Sequence, residues 1–211
     1  MLPRGTRRPG RPPAAKADET RQRIIQAARL VFSERGYDGG TFQAIAARAD
    51  LTRPAINHYF SSKRALYREV LAETNEFVIG AGIRQAEGET TLVARLTAFI
   101  SAAVRANSDN PAGSAFLISS ALESQRHPEL TGTENDSLRL SREFLTRVVN
   151  DAIEHGEIVT DFDASALVEA LLVVICGVGL YAGYIQSPEA MLAITGVMRR
   201  LLEGALRGPE A

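Results

Sequence analysis

Between Thr41 and Lys63 the apolar residues fall into two short helical registers separated by a tight turn. Phe42, Ile45, Ala46 and Ala49 recur at helical spacing and give the first helix one apolar face. Thr41 stands before it as an N-cap. Ala49-Asp50-Leu51 is the turn, and Asp tolerates the left-handed backbone that a reversal requires. Thr52 caps the second helix, with Pro54 in its first turn, where a missing N–H costs nothing. Ile56 and Phe60 face inward, whereas Arg53 and Asn57 share the opposite face, flanked by Pro54 and His58. Upstream, Ile24, Ile25, Ala28, Val31 and Phe32 mark a helix that starts near Asp18–Thr20 and ends by Gly36. Gly39-Gly40 is the hinge before Thr41. Downstream, Leu66, Tyr67, Val70, Leu71, Phe77 and Val78 mark a long amphipathic helix that joins two domains without a flexible linker. Further helices are predicted over 89–107, 111–125, 136–155, 163–186 and 188–206. Their breaks are Gly80/Gly82/Gly88, Pro111, the His127–Gly132 turn, Gly156 and Pro188. No strand alternation and no internal repeat is visible. The fold class is all-α: an N-terminal three-helix helix-turn-helix domain followed by a C-terminal helical bundle.

Two short helices with a fixed turn, the second bearing a basic and amide face, describe a DNA-binding helix-turn-helix. Thr41, Ile45, Ala46, Ala49, Leu51, Thr52, Ile56, Phe60 and Lys63 together form a pattern that resembles the N-terminal domain of the TetR family of bacterial regulators. The match covers roughly residues 18–70; beyond them it is one of layout. Asp50 replaces the usual turn glycine, and Asn57 the usual tyrosine of the recognition helix. The DNA-binding candidates are Thr41, Thr52, Arg53, Pro54, Ala55, Asn57, His58, Tyr59 and Lys63. Arg favours guanine edges and Asn adenine edges, and Lys63 is aimed at phosphate.

The net charge of −1 argues by itself against a nucleic-acid partner, but its distribution does not. Residues 1–70 hold 14 Lys and Arg against 6 Asp and Glu, a surplus of +8; residues 71–211 hold 10 against 19, a balance of −9. Residues 1–17 carry five basic groups, no acid and four prolines, the composition of a disordered basic arm. Its run from Arg8 to Pro12 looks like either a minor-groove-reading core or a solubilising tail. Arg7-Arg8 has no apolar run behind it, so an export signal is not expected. Cys176 is the only cysteine, which excludes an intrachain disulfide and fits a cytoplasmic location.

Ala170–Gln186 is uncharged and mostly apolar, slightly short for a membrane span, and better explained as a helix covered on both sides. Leu172, Cys176, Gly179 and Gly183 lie along one stripe, and glycine inside a helix costs roughly 1 kcal/mol relative to alanine. Close approach of a second copy would justify that cost, so this stripe is the candidate dimer interface; an internal core helix is the alternative. The opposite face, with Val173, Leu180 and Tyr184, is also apolar. The resemblance likewise implies a dimer, with the last two helices paired into a four-helix interface. Phe99, Phe116, Phe144 and Tyr181 are candidates to line a cavity between helices, and Ser119, Gln125 and Asn150 are polar residues in apolar surroundings.

Catalysis finds no support. HExxH, CxxC, Walker and GxSxG patterns are missing, and Gly177, Gly179 and Gly183 miss the dinucleotide spacing. No metal site or cofactor is expected. The domains are then a basic arm over 1–17, the helix-turn-helix over 18–65, and a ligand-sensing and dimerisation domain over 66–211. The expected protein is a homodimeric repressor on a near-palindromic operator, released by a small apolar or amphipathic effector that tilts the helix starting near Ser62. The rival readings are a bundle that binds a protein partner, which a filled core would favour, and an enzyme fused to a helix-turn-helix, which a convergent set of perturbed titratable groups would favour.

Overall fold

The computed structural model describes residues 13–130, 136–158, 163–185 and 187–206, and every regular element among them is helical. The N-terminal elements are α1 (Pro13–Gly39), α2 (Phe42–Arg48), α3 (Arg53–Tyr59) and α4 (Lys63–Asn75). A π turn (Glu76–Gly80) carries α4 directly into α5 (Ala81–Ala86). The bundle continues with α6 (Leu92–Asp109), α7 (Pro111–Arg126), a 3-10 turn (Pro128–Leu130), α8 (Ser137–Glu154), α9 (Ala164–Ile185) and α10 (Pro188–Leu206).

Local chemistry sets most of the helix starts. The hydroxyls of Thr41, Thr52, Ser62 and Thr91 each accept from the backbone N–H three residues on, and Asp136 accepts from Leu138 and Arg139. Pro111 opens α7 from the position where its missing N–H is harmless. In the turn between α2 and α3, Asp50 takes φ 51°, the only positive φ of a non-glycine residue among those described. Arg23 donates to its carbonyl at 3.3 Å and ties the turn to α1.

Two boundaries differ from the sequence reading, the start of α1 and the expected break at Gly80/Gly82. Helix α1 begins at Pro13, so residues 13–17 are helical and do not belong to an arm. Residues 1–12, including the Arg8–Arg11 segment, lie outside the described residues. At Gly36 the backbone leaves helical geometry (φ 67°, ψ −177°), and a Cβ there would stand 2.6 Å from the Glu123 carboxylate. Gly80 and Gly82 do not end a helix. The chain stays helical to Ala86, because the bare Cα of Gly82 lets the Phe99 ring close in, and a Cβ there would lie 2.8 Å from it.

Two cores form, and they do not divide at residue 65. The first packs α1 (Ile24, Ile25, Val31, Phe32) on Ile45, Ile56 and Phe60, and takes in Leu66, Tyr67, Val70 and Leu71 of α4. Phe116 of α7 also belongs to it. That ring is 0% exposed, meets Tyr67 edge-on at 5.2 Å and lies 6.3 Å from Phe32. It was a candidate for lining a cavity in the bundle, and the structure places it in the other core. The second core gathers Leu96, Phe99 and Ile100 of α6, Phe144, Leu145 and Val149 of α8, and Leu171 and Leu172 of α9. Leu117, beside Phe116, packs on both.

Two stability measurements follow from this packing. Phe116→Ala lowers unfolding free energy by about 3–5 kcal/mol, read from urea denaturation, because the cavity it leaves is enclosed by rings from two domains. At the turn, Asp50→Val costs about 1–2 kcal/mol, since a β-branched side chain cannot relax at positive φ. Asp50→Gly is close to neutral, as relief of the left-handed backbone is offset by a freer unfolded chain.

Candidate functional site

On the outer face of the helix-turn-helix, Arg53, Pro54, Asn57 and His58 are exposed, while Ile56 and Phe60 are buried beneath them. Ala55 and Tyr59 are half-buried, and the Tyr59 ring meets His58 edge-on at 5.2 Å. Thr41 and Thr52 are exposed, with their hydroxyls engaged as caps. Neighbouring basic groups are held within the chain: Arg48 pairs with Glu34 at 2.6 Å, and Arg21 pairs with Glu69 at 2.9 Å while lying over the Phe60 ring. Arg53 shows no such partner among the described residues. Its guanidinium, the Asn57 amide and the His58 imidazole are therefore the polar side chains α3 leaves exposed.

Lys63 has a partner that its sequence position does not reveal. Its ammonium donates to the Tyr37 carbonyl at 2.8 Å and sits 4.1 Å from the centre of the Tyr37 ring. Tyr37 in turn meets Tyr67 at 5.0 Å and His127 at 4.9 Å, both edge-on. His127, read from sequence as a helix-end residue, stands at the junction of the two domains. Its Nε2 lies 3.3 Å from Asp38 and 3.5 Å from Glu123, and its Nδ1 lies 3.3 Å from Glu129. Burial, with Glu123 and Tyr37 close by, pushes the Tyr67 phenol well above the ordinary tyrosine range. The lone signal in the sequence for this cluster was His127 beside a proline, which does not reveal a tertiary partner.

Inside the bundle, α6, α7, α8, α9 and the π turn enclose a cavity of about 500 Å³. Its walls are apolar, with Ile79, Phe99, Val104, Leu117, Ile118 and Val178 among them, and polar atoms come from Asn107, Ser114, Ser137, Ser141 and Cys176. Among the described residues no charged side chain lines it. Partial burial pushes the Cys176 thiol up, with Arg142 opposing weakly. Of the four aromatic candidates, Phe99 lines the cavity. Phe144 stacks against Phe99 at 4.9 Å in the second core, without lining the cavity, and Tyr181 stacks on Tyr184 at the outer surface. Ser119 bonds the Phe116 carbonyl, and Gln125 and Asn150 are exposed. The serines and asparagine that do line the cavity are ordinary mid-helix or helix-start residues in sequence, with no pattern to single them out.

A buried polar path connects this cavity with α1. Arg29 Nε donates to Thr74 Oγ1 at 3.0 Å, and Thr74 donates to the Val70 carbonyl. Asn75, the next residue, accepts from Ser137 on the cavity wall at 2.7 Å. Burial lowers the Arg29 guanidinium from its usual range, with Glu73 opposing. A second, smaller cleft near Arg95 and Glu157 has its charges satisfied internally. Arg95 pairs with Asp151 at 2.8 Å, and the Glu157 carboxylate accepts from the Leu92 N–H at the start of α6. Among the described residues no cluster of metal-ligating side chains occurs.

The small-residue stripe of α9 also lands differently. Leu172 is buried in the second core, while Cys176 and Gly179 line the cavity. Gly183 lies in the same helix. The bare positions lie beside the stripe: Val173, Leu180, Tyr181 and Tyr184 on α9, with Leu192, Val197 and Leu201 on α10, are all exposed. Helix α9 is long and apolar enough to cross a membrane by length and composition, and little of its most apolar stretch is buried within the chain. Both of its faces are apolar, so periodicity could not tell inside from outside. Cys176 is nevertheless exposed, and a Cβ on Gly179 would meet nothing within 4 Å in its own chain.

Comparison with known proteins agrees with this architecture. Residues 24–70 match the family described as bacterial regulatory proteins, tetR family, and residues 93–198 match the tetracyclin repressor-like C-terminal domain. The chain is 30% identical over 204 residues to the HTH-type transcriptional regulator SrpR of Pseudomonas putida, covering 93% of this chain and 89% of that one. It superposes on a TetR transcriptional regulator from Chloroflexus aurantiacus with a TM-score of 0.73 at 23% identity, over 90% and 96% of the two chains. FadR from Bacillus subtilis, solved in complex with stearoyl-CoA, gives a TM-score of 0.70 at 20% identity, over 86% and 96%. With both domains matched in order, and with SrpR aligned along nearly its whole length, the chain belongs to the TetR family: it is a helix-turn-helix, DNA-binding transcriptional regulator and not an enzyme.

Proposed function

We propose that the protein is a cytoplasmic homodimeric repressor of a near-palindromic operator, released by a small, largely apolar effector. The observation that carries this reading is the cavity of about 500 Å³ in the bundle. Protein interiors are close-packed, and an occupant would gain apolar contacts along walls that the chain itself leaves apart. Because no charged side chain among the described residues lines it, the enclosed part of the effector is uncharged; a buried ion would lack a partner. FadR, of the same fold, is solved with stearoyl-CoA, a molecule with a long apolar portion, which supports the idea that such a bundle can hold one. The protein-partner reading wanted a filled core and finds less support.

In this reading Arg53 and Asn57 contact base edges, and the bare α9–α10 face meets a second copy. Effector contact with Val78 and Ile79 of the π turn shifts α4, whose first half is packed into the DNA-binding core. The distance between two recognition helices then no longer matches half-sites one DNA turn apart.

Asn57→Ala relaxes base preference and costs about 1–3 kcal/mol on the operator, measured by fluorescence anisotropy against a scrambled duplex. Equal affinity of variant and parent for the operator would remove Asn57 from base contact. Lys63→Ala acts on the junction: it lowers folding stability by about 1–3 kcal/mol through the lost carbonyl and ring contacts and leaves the salt dependence of binding nearly unchanged. A salt slope flattened by about one unit with stability intact would return Lys63 to the phosphate backbone.

For the switch, an effector found by thermal shift among uncharged apolar compounds weakens operator binding by about 1–3 kcal/mol, and operator weakens effector binding equally. Ala103→Phe, which fills the cavity from α6, keeps operator binding and loses the response. Retained induction in that variant would place the effector elsewhere.

A further inference from the structure

We infer that the effector cavity is a shared site, complete only when a second copy of the chain covers its opening. This rests on the sensor reading above and adds where the missing wall comes from. Leu122 of α7 and Val173 and Leu180 of α9 line the cavity, yet they are 57%, 71% and 60% exposed. Side chains that are at once cavity lining and outer surface mark an opening, and here it runs between α7 and α9. A ligand seated in the cavity of a single chain keeps apolar surface in water along that opening, which weakens its binding.

The structure points to a second copy as the cover. The opening is continuous with the bare face of the last two helices: Tyr184 follows Leu180 one turn along α9, and Leu192, Val197 and Leu201 extend the surface over α10. From Ala170 to Ile185 there is no charged residue, so this part of the face has no charge by which to choose a polar partner. It fits another uncharged apolar face, and an isologous contact supplies one, since the same patch meets itself across a two-fold axis. Such a contact covers both openings in one step. Gly177 and Gly179 stand at the opening, and a Cβ on either would meet nothing within 4 Å in its own chain. That leaves room for a side chain from the neighbour.

The consequence is a linkage between effector binding and assembly. A site completed by the dimer binds effector more tightly in the dimer than in the monomer, so effector must tighten the dimer. Release from DNA then occurs with the dimer intact and changed in geometry, never through its dissociation.

The test uses N-phenyl-1-naphthylamine, an uncharged apolar fluorophore, with the full chain and the double variant Tyr184→Glu/Leu201→Glu. Both substitutions lie on the bare face and outside the cavity. Sedimentation velocity should find the parent dimeric and the variant monomeric, with helicity retained by circular dichroism. The monomer should bind the probe about tenfold more weakly, and saturating probe should lower the parent's dimer dissociation constant by about the square of that ratio, since two sites are completed per dimer. If the variant does not fold, diluting the parent through its own dissociation gives the same comparison. A folded monomer that binds the probe as tightly as the parent dimer overturns the shared site and leaves the cavity as a sensor. A dimeric parent that binds no probe overturns both readings. A variant that remains dimeric places the interface elsewhere and overturns the inference.

Discussion

Helix α4 belongs to two hydrophobic cores at once, and the rest of the molecule depends on that arrangement. Leu66, Tyr67, Val70 and Leu71 pack against α1 in the first core, and the π turn that continues the same helix brings Val78 and Ile79 to the cavity wall. Displacing one end without the other would open a packed core, which is costly. Phe116 reinforces the constraint from the opposite side, since α7 reaches out of the bundle and buries this ring among Phe32 and Tyr67. The two domains are therefore coupled by shared packing, and a movement in one has a physical route to the other. Thr74 and Asn75, buried midway along that route, fix its register through Arg29 on one side and Ser137 on the other. Buried polar groups of this kind tolerate few alternative arrangements, because each lost partner costs a desolvated donor or acceptor.

The cavity and the bare helix face are two departures from ordinary packing in a chain that otherwise buries its apolar residues well. Natural interiors leave few voids larger than a water molecule, whereas this bundle leaves about 500 Å³. Surface apolar residues are normally scattered, whereas α9 and α10, consecutive along the chain, together expose seven large ones. Each departure costs stability in the isolated chain, and the proposed effector and second copy would relieve the first and the second in turn. Their meeting at Val173 and Leu180 links the two costs.

Charge organises the molecule at longer range. The first 70 residues carry a surplus of +8 and the remainder a balance of −9, so attraction to a polyanion is confined to one end and the acidic bundle is held away from it. Within the basic end, Arg21 and Arg48 are committed to carboxylates of the same domain and Lys63 to the Tyr37 carbonyl, which leaves Arg53 as the outward cation of α3. Net charge locates the face. The pairing of individual side chains decides which groups on it are available.

The sequence by itself determined what depends on neighbours along the chain. Threonine caps at 41 and 52, Pro54 in a first turn, Asp50 at a left-handed position and the helical spacing of Ile24 through Phe32 all act within one or two turns, and the helix-turn-helix was legible from them. The bundle helices were legible for the same reason, to within a few residues. Only the tertiary structure decided what depends on direction in space. Leu172, Cys176 and Gly179 share one face of α9, and Val173, Leu180 and Tyr184 share the other, and both faces are apolar; periodicity carries no sign that says which is turned inward. Phe116 and Phe144 are alike as mid-helix aromatics, yet one belongs to the DNA-binding core and the other stacks behind the cavity, because α7 crosses the domain boundary and α8 does not. Nothing near Lys63 in the sequence announces that Tyr37, 26 residues earlier, is brought under its ammonium. A cavity is the extreme case: it is made of positions where no residue stands, and no residue in the chain announces it.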